Sequence, residues 1–241
     1  MIALEPLRGL PEIRPGDDLA ALLAECGTEL LAGDVLVIAH KVVSKAEGRV
    51  VRLADVSPGD RARELAAEHG KDPRAVEVIL SEATELVRAD AGRLICRTRH
   101  GFVCANAGVD ASNTGGADTL VLLPLDPDAS ARALRQRLGC AVVISDSFGR
   151  AWRKGQCEVA IGCAGLAALR DYRGERDADG REMRASVIAI ADEAAAAADL
   201  ARGKTSREPA VRVRGLEPYV TREHGPGAAT LLRAWADDLF R

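Results

Sequence analysis

The segment Ala141-Val-Val-Ile-Ser-Asp-Ser-Phe-Gly-Arg-Ala-Trp-Arg153 joins a short apolar run to a cluster of polar side chains. The apolar run, 141–144, is typical of a buried β-strand. A carboxylate, a hydroxyl and two guanidinium groups follow it: Asp146, Ser147, Arg150 and Arg153. In α/β architectures ligands bind beyond the carboxyl ends of strands, where an Asp can hold a divalent ion and arginines can grip phosphate. The alternative interpretation is an Asp–Arg pair that closes a loop over a core Trp.

A second polar segment, Asn106-Ala-Gly-Val-Asp-Ala-Ser-Asn-Thr-Gly-Gly116, follows the strand-like run 102–104. Its glycines permit positive φ and close backbone approach, so its N–H groups can converge on an anion while Asp110 stays available for a cation. This combination favours a site for phosphate and metal. The alternative is a surface turn, since Asn, Asp, Ser and Gly also dominate ordinary turns.

Hydrophobic periodicity and turn residues predict the secondary structure. Helices are expected over 18–32, 61–69, 73–86, 130–138, 192–201 and 230–239, and strands over 35–39, 141–144, 187–190 and 211–213, with a hairpin of 93–98 and 102–105. Strands and helices are interspersed without a regular βαβ period. The sequence therefore predicts the α+β class, with mixed sheets and flanking helices in one unit of one or two lobes.

Composition restricts the partners of the chain. The net charge is −3 with 29% charged residues, which gives no reason to expect nucleic-acid binding, and 3% aromatics make a base-stacking platform improbable on physical grounds. The sequence shows no signal peptide after Met1 and no apolar run long enough to span a bilayer. The six cysteines lack Cys-x-x-Cys spacing, which disfavours zinc. We therefore expect a cytoplasmic protein that has no membrane contact.

Six ordered blocks of sequence carry a resemblance to a known family. They are Gly9–Ile13, Val42–Arg49, the two polar segments above, Leu169–Gly174, and Gly203–Pro209 with Val211–Gly215. Across nearly the whole chain these blocks resemble the GTP-dependent ligases that add L-glutamate to coenzyme F420-0, a phospholactate-bearing deazaflavin. The resemblance implies one ligase domain over 1–241, without a C-terminal reductase domain, assembled as an intertwined homodimer.

The resemblance also implies roles for individual residues. Those expected to bind the nucleotide are Leu10, Pro11, Glu12, Ile13, His40, Lys41, Lys45, Asn113, Gly203, Lys204, Thr205 and Ser206. Asp110 and Asp146 would hold one divalent ion and Ser147 a second, as Mg²⁺ or Mn²⁺, with K⁺ as an additional candidate. The chemistry, rather than the resemblance, suggests that basic side chains such as Lys45, Arg150 and Arg153 would assist the metals as catalytic cations. Relatives often carry Gln where Lys204 stands, which puts the family's metal contact there in question.

The implied reaction joins L-glutamate in amide linkage to F420-0 and converts GTP to GDP and phosphate, with one or more γ-linked glutamates added. A carboxylate must be activated before an amine can attack it, so an acyl phosphate is the expected intermediate. The sequence does not identify the residue that acts as the general base. Two other classes of protein stay open on the residues alone. A metal-dependent phosphohydrolase would use the same two aspartates with water, and a non-catalytic module would only bind the nucleotide.

Overall fold

The computed structural model describes residues 1–238. Its strands are β1 (Ala3–Pro6), β2 (Val35–Ala39), β3 (Val50–Arg52), β4 (Ala83–Asp90), β5 (Arg93–Thr98), β6 (Val103–Ala105), β7 (Thr119–Val121), β8 (Ala141–Arg150), β9 (Arg153–Ala164), β10 (Arg170–Asp171), β11 (Val187–Ile188) and β12 (Ala210–Arg214). Its α-helices are α1 (Leu19–Glu25), α2 (His40–Ala46), α3 (Asp60–His69), α4 (Pro73–Glu82), α5 (Pro127–Leu138) and α6 (Ile190–Ala201).

The central sheet has five strands in the order β1-β12-β2-β8-β9. Strands β2 and β8 are parallel, with pairs from Val35↔Ala141 to Ala39↔Ser145, and the other neighbouring strands are antiparallel. Successive side chains of a strand point to opposite faces, so both faces of this sheet must be covered by apolar groups. The mixed sheet with flanking helices confirms the predicted α+β class.

Each face of the central sheet packs against its own helices. Leu36 and Ile38 of β2 lie in one buried cluster with side chains of α1 and α5. Val35 and Val37 lie in a second cluster with the alanines of α6. Close packing extends to the backbone, because a Cβ at Gly162 of β9 would lie 2.3 Å from a main-chain oxygen at the start of α5. Only glycine fits there.

A third buried cluster forms an outer lobe of α3, α4 and the three-stranded sheet β4-β5-β6. The carboxylate of Glu82, at the end of α4, joins this lobe to the rest of the chain. It accepts hydrogen bonds from Arg49 at 2.8 Å and from Arg99 at 3.0 Å. The short sheet of β3 and β7 lies in the connection between lobe and central sheet.

Most of the predicted elements are confirmed within a few residues, but two helices were predicted too long. Helix α1 ends at Glu25 rather than at residue 32, because Gly27 adopts a φ of 75° and turns the chain. Helix α4 ends at Glu82, and residues 83–86 begin β4 instead, where pairing with β5 overrides the helical pattern. Strand β4 is therefore absent from the sequence prediction.

Two further predictions are wrong: a helix over 230–239 and the end of a strand at residue 144. The expected helix over 230–239 is replaced, within the described residues, by 3₁₀ turns at Ala228–Leu231 and Trp235–Asp237; residue 239 lies outside them. Strand β8 does not end at 144 but continues through Asp146 to Arg150, because β9 pairs with it along its whole length. Its parallel pairing with β2 nevertheless stops at Ser145, so Asp146 stands just beyond that shared edge.

Candidate active site at the β2–α2 junction

Helix α2 begins at His40, directly after the last residue of β2, and it brings three predicted site residues together. Nε2 of His40 lies 3.4 Å from Oδ1 of Asp146, which is on β8. The next residue, Lys41, donates from Nζ to Oδ2 of Asp110 at 2.7 Å. Consecutive residues of one helix therefore contact the two predicted metal-binding carboxylates, which come from separate parts of the chain.

The carboxylate of Asp146 is held at one oxygen. Oδ1 accepts a hydrogen bond from the Ser147 N–H at 2.8 Å, and no hydrogen bond from the described residues reaches Oδ2. His40, 1% exposed, has Nδ1 3.3 Å from the Ser44 hydroxyl, while its Nε2 has no hydrogen-bond partner in the described structure. Both residues therefore keep a polar atom that makes no hydrogen bond within the described structure.

Asp110 lies in the glycine-containing loop and is held by local bonds. Its Oδ1 accepts from the Ser112 N–H at 2.7 Å, and its backbone forms an isolated bridge with Val121. Burial opposes ionisation of this carboxyl, but the hydrogen bonds from Lys41 and Ser112 outweigh burial and hold its pKa below the usual value. The group is therefore charged at neutral pH.

The third residue on α2 is Lys45, one turn after Lys41. Its side chain is 8% exposed, and Nζ donates to Oε1 of Glu12, whose own side chain is 63% exposed. The glycine loop comes close to both, because a Cβ at Gly115 would lie 2.8 Å from that Oε1 and 3.6 Å from Nζ. The φ of Gly115 is +87°, so glycine is needed here for conformation as well as for space.

The other residues of the first block fall into two groups. Ile13 is buried in the core cluster with α1 and α5, and Leu10 packs against the same cluster, so neither side chain is free to serve a ligand. Pro11 is exposed. If this block contacts the nucleotide, it does so through main-chain groups, as the resemblance implies. Asn113, with a φ of 54°, is exposed in the glycine loop.

The serines that flank Asp146 on β8, Ser145 and Ser147, belong to a buried network that the sequence did not reveal. The Ser147 hydroxyl donates to Oε1 of Glu158 on β9, and Nη2 of Arg202 donates to Oε2 of Glu158 at 2.6 Å and to the Ser145 hydroxyl at 3.0 Å. Burial alone would raise the pKa of Glu158, but the positive charge of Arg202 and the serine hydrogen bonds lower it below the usual value. Glu158 therefore carries a buried negative charge.

The loop after α6 contributes Lys204 to this network. Nζ of Lys204 contacts the Ser147 hydroxyl and lies 3.3 Å from Oε1 of Glu158. The rest of the loop is exposed and locally bonded, since the Ser206 hydroxyl donates to the Gly203 carbonyl at 3.1 Å. Helix α6 ends through the extended residue Arg202, and Gly203 does not have a positive φ. Thr205 is exposed beside them.

The structure does not bring Arg150 and Arg153 to Asp146 of the same chain. They pair with each other at the tip of the β8–β9 hairpin, and Nη2 of Arg150 donates to the Lys154 carbonyl at 2.7 Å. At roughly 3.3 Å per residue, four residues of strand place Arg150 about 13 Å beyond Asp146. Both arginines are exposed.

A cavity of about 560 Å³ opens beside Asp110, on the side of the outer lobe. Its lining combines apolar groups, such as Ile79 and Leu120, with polar ones, such as Asn106 and Lys71. Ligand pockets commonly have this size and this mixture. Within residues 1–238, no cluster of three or more His, Cys, Asp or Glu residues is arranged to hold a metal. A divalent ion here would need oxygen ligands beyond the two aspartates.

Comparison with known proteins identifies the family. The model of the F420-0:gamma-glutamyl ligase family matches residues 9–215, which contain every site residue described above.

The chain belongs to the F420-0:gamma-glutamyl ligase family.

Full-length relatives agree with this membership. A coenzyme F420:L-glutamate ligase of Methanopyrus kandleri is 47% identical over 248 residues, spanning 100% of this chain and 98% of the relative. Proteins of the same description from Methanothermobacter thermautotrophicus and Halobacterium salinarum are 44% and 47% identical, and their matches span 100% and 97% of this chain and 99% and 93% of the relatives. The predicted resemblance is confirmed, and the chain is a ligase of coenzyme F420 biosynthesis.

Two features of this F420 ligase bear on its surroundings. No helix among residues 1–238 is long and apolar enough to cross a membrane. All six cysteines are free, and burial raises the pKa of the thiols of Cys104 and Cys163 to about 12 and of Cys140 to about 11. These three thiols act as small buried apolar groups.

Proposed function

We propose that this ligase activates the acceptor carboxylate of F420-0 with GTP and a divalent ion held by Asp110 and Asp146. The observation that carries the proposal is the contact of two consecutive residues, His40 and Lys41, with these two carboxylates. Helix α2 thereby fixes a pair of hard oxygen ligands at the edge where β2 and β8 end their parallel pairing. Such a pair suits Mg²⁺ or Mn²⁺, which take phosphate oxygens and waters as further ligands.

The residues at this position fit a divalent ion. Asp146 keeps one oxygen that accepts no hydrogen bond from the described residues, and the lowered pKa of Asp110 keeps that group anionic. Two carboxylates face one lysine, so the position is negative overall before an ion binds. When bound, Mg²⁺ or Mn²⁺ would neutralise charge on the phosphates and on the group in transfer.

The reaction proposed has two steps. A carboxylate oxygen of F420-0 attacks the γ-phosphorus of GTP, so that an acyl phosphate forms and GDP leaves. The amine of L-glutamate then attacks the acyl carbon, loses a proton and expels inorganic phosphate, which leaves the amide. Each step moves negative charge between phosphate oxygens, and cationic side chains held in place stabilise such charge in the transition state.

The proposal assigns that task to cationic side chains of the chain itself. Lys41 and Lys45 lie on one face of α2, one turn apart, and the proposal assigns them to phosphate oxygens of GTP. Glu12, Asn113 and the loop 203–206 would complete the nucleotide site through main-chain and side-chain donors. The burial of Lys45 against exposed Glu12 supports this assignment, because it fixes an ammonium group at the rim of the site.

The proposal includes a homodimer in the cytoplasm, where GTP is available. Arg150 and Arg153 would serve as catalytic cations in that assembly, and their distance from Asp146 within one chain supports a role that needs a partner subunit. Light scattering of the purified protein tests this part, and a monomeric mass at working concentration would contradict it.

One incubation tests the central claim. Purified protein should consume GTP only when F420-0, L-glutamate and Mg²⁺ or Mn²⁺ are all present, and mass spectrometry should show the glutamyl product and GDP in equal amounts. GTP consumption without glutamate would indicate a phosphohydrolase instead. Retention of GTP with no turnover under any combination would indicate a binding module. Equal turnover with ATP, or turnover in excess chelator, would contradict the nucleotide or the metal assignment.

A further inference from the structure

Ser147 lies between a carboxylate and an ammonium group. Its hydroxyl donates to Oε1 of Glu158 and accepts from Nζ of Lys204, and that Nζ is 3.3 Å from the same Oε1. The family resemblance implies that Ser147 is a ligand of a second divalent ion. In this chain a cationic group already contacts the oxygen that would bind that ion.

Both oxygens of the Glu158 carboxylate already accept hydrogen bonds. Oε1 is shared by Ser147 and Lys204, and Oε2 accepts the hydrogen bond from Arg202 at 2.6 Å. The side chain is 3% exposed, so water cannot replace these donors. Mg²⁺ and Mn²⁺ require several hard oxygen ligands. The residues around Ser147 do not fit a divalent ion.

Charge separates this position from the one between the two aspartates. Around Ser147 two cations, Arg202 and Lys204, balance two carboxylates, the buried Glu158 and the more exposed Asp199, which lies 3.7 Å from Arg202. Between Asp110 and Asp146 two carboxylates face one lysine. Because like charges repel, the cations at the first position disfavour a divalent cation there, whereas the excess of carboxylates attracts one to the second.

We infer that the ammonium group of Lys204 takes the place of a second divalent ion, so the nucleotide complex holds one divalent ion per chain. This inference rests on the proposed function. An ammonium group has three donors, and two of them are directed at Ser147 and Glu158. The side chain is 63% exposed at the mouth of the site, which leaves the third donor for a phosphate oxygen.

Equilibrium dialysis tests the inference by counting ions. Mn²⁺ and GDP are set to equal free concentrations on both sides of the membrane, and the amounts of each retained per chain are measured. The parent protein should retain one Mn²⁺ with one GDP. Lys204→Gln should retain two, because the substitution removes the cation, frees Oε1 of Glu158 and adds a neutral oxygen ligand.

Two variants control for charge and for folding. Arg207→Gln removes the same charge from an exposed position of the same loop, and it should retain one Mn²⁺. Lys204→Arg keeps a cation beside Ser147 and should also retain one. Circular dichroism melting of each variant confirms that the fold is intact before ions are counted.

The outcomes separate the inference from the proposed function. Two Mn²⁺ in the parent, or one in Lys204→Gln with GDP bound, overturns the inference and leaves GTP dependence standing. Two in Arg207→Gln would show that general charge, and not the contact with Ser147, controls the count. A parent protein that retains no GDP would overturn both.

Discussion

The site has two sides that differ in how their charges are held. On the sheet side, which comprises Asp146, Ser147, Glu158 and Arg202, side chains from β8, β9 and the end of α6 are mostly buried and bonded to each other. On the loop side, which comprises Glu12, Lys45, Asp110 and the loop 112–116, Glu12 and most of the loop are exposed and Asp110 is partly exposed, although Lys45 itself is only 8% exposed. Folding fixes the charges of the sheet side, whereas the charges of the loop side remain available to a ligand.

This difference predicts that substitutions on the sheet side lower the unfolding free energy, whereas substitutions on the loop side weaken substrate binding. A buried ion pair loses stability when one partner is removed, because the other charge is left unpaired. A charge at an exposed rim changes stability little and changes its interaction with a ligand more. The four predictions that follow test this division, from the largest expected effect to the smallest.

Replacement of Glu158 should destabilise the fold through the sheet side of the site. Glu158→Gln removes the 2.6 Å carboxylate partner of the buried Arg202 guanidinium and leaves it the longer 3.7 Å contact with Asp199, and loss of one partner of a buried ion pair costs about 3–5 kcal/mol of unfolding free energy. Urea unfolding of parent and variant measures this cost. Glu82→Gln is the matched control, since it breaks a second buried carboxylate with two arginine partners in the outer lobe. A loss below about 1 kcal/mol in Glu158→Gln would contradict this prediction, because exposed ion pairs contribute that little to the unfolding free energy.

The acid dependence of stability sharpens the same prediction. The pKa of Glu158 lies below its ordinary value of 4.5, so this group stabilises the fold above that value and the contribution is lost as pH falls through the lowered pKa. Between about pH 6 and pH 3 the parent should lose more unfolding free energy than Glu158→Gln. Parallel curves for the two proteins would contradict the lowered pKa.

Asp146→Asn should remove turnover and spare the fold. The change removes one negative charge from the proposed ion position at almost constant volume, and we expect a loss of about 10²–10³ in kcat, the size typical for one electrostatic contact to a transition state. The melting temperature should change little, since the amide oxygen can still accept from the Ser147 N–H. Asp179→Asn, at an exposed turn, is the control. Full activity with lowered stability would return Asp146 to a structural role.

Lys45→Ala, on the loop side, should change substrate binding and leave stability almost unchanged, whereas Glu158→Gln should lower stability. Its partner Glu12 is largely exposed, so the loss of the pair should cost little stability. The KM for GTP should rise about tenfold, which corresponds to 1.4 kcal/mol of binding free energy. Steady-state kinetics with varied GTP measures the rise. A large drop in melting temperature with unchanged KM would reverse the assignment of this lysine.

Arg153→Lys should give the smallest effect. The arginine lies at the hairpin tip, beyond both sides of the site, and acts only if an anionic substrate reaches it there. Arginine grips an anion through two parallel hydrogen bonds that lysine cannot reproduce, so KM or kcat should change by about two- to tenfold although the charge is kept. Kinetics at low and moderate salt that match the parent would leave Arg153 as a surface residue.

Sequence reasoning located the central strands because their apolar runs are buried on both faces, as in 35–39 and 141–144. It also selected both aspartates, since each follows an apolar strand in a polar segment. The sequence analysis did not select Glu158 and Arg202 as site residues. They are 44 residues apart, and they meet only through the β8–β9 register and the end of α6, which no local pattern contains.

The misjudged helices have a similar cause. Residues 83–86 carry apolar groups at spacings compatible with a helix, but pairing with β5 stabilises them as a strand. Around Gly27 and in the segment 230–238 the chain turns where the local pattern favours a helix. In each case contacts distant in sequence, or a single turn residue, decide the structure.

The direct passage from Ala39 of β2 to His40 of α2 limits how this enzyme can change. With no connecting loop, the strand register sets the rotation of the helix, and a single inserted residue would turn every following position by about 100°. His40 and Lys41 would then point away from both aspartates at once. Insertions and deletions at this junction should therefore be selected against even where individual side chains tolerate replacement.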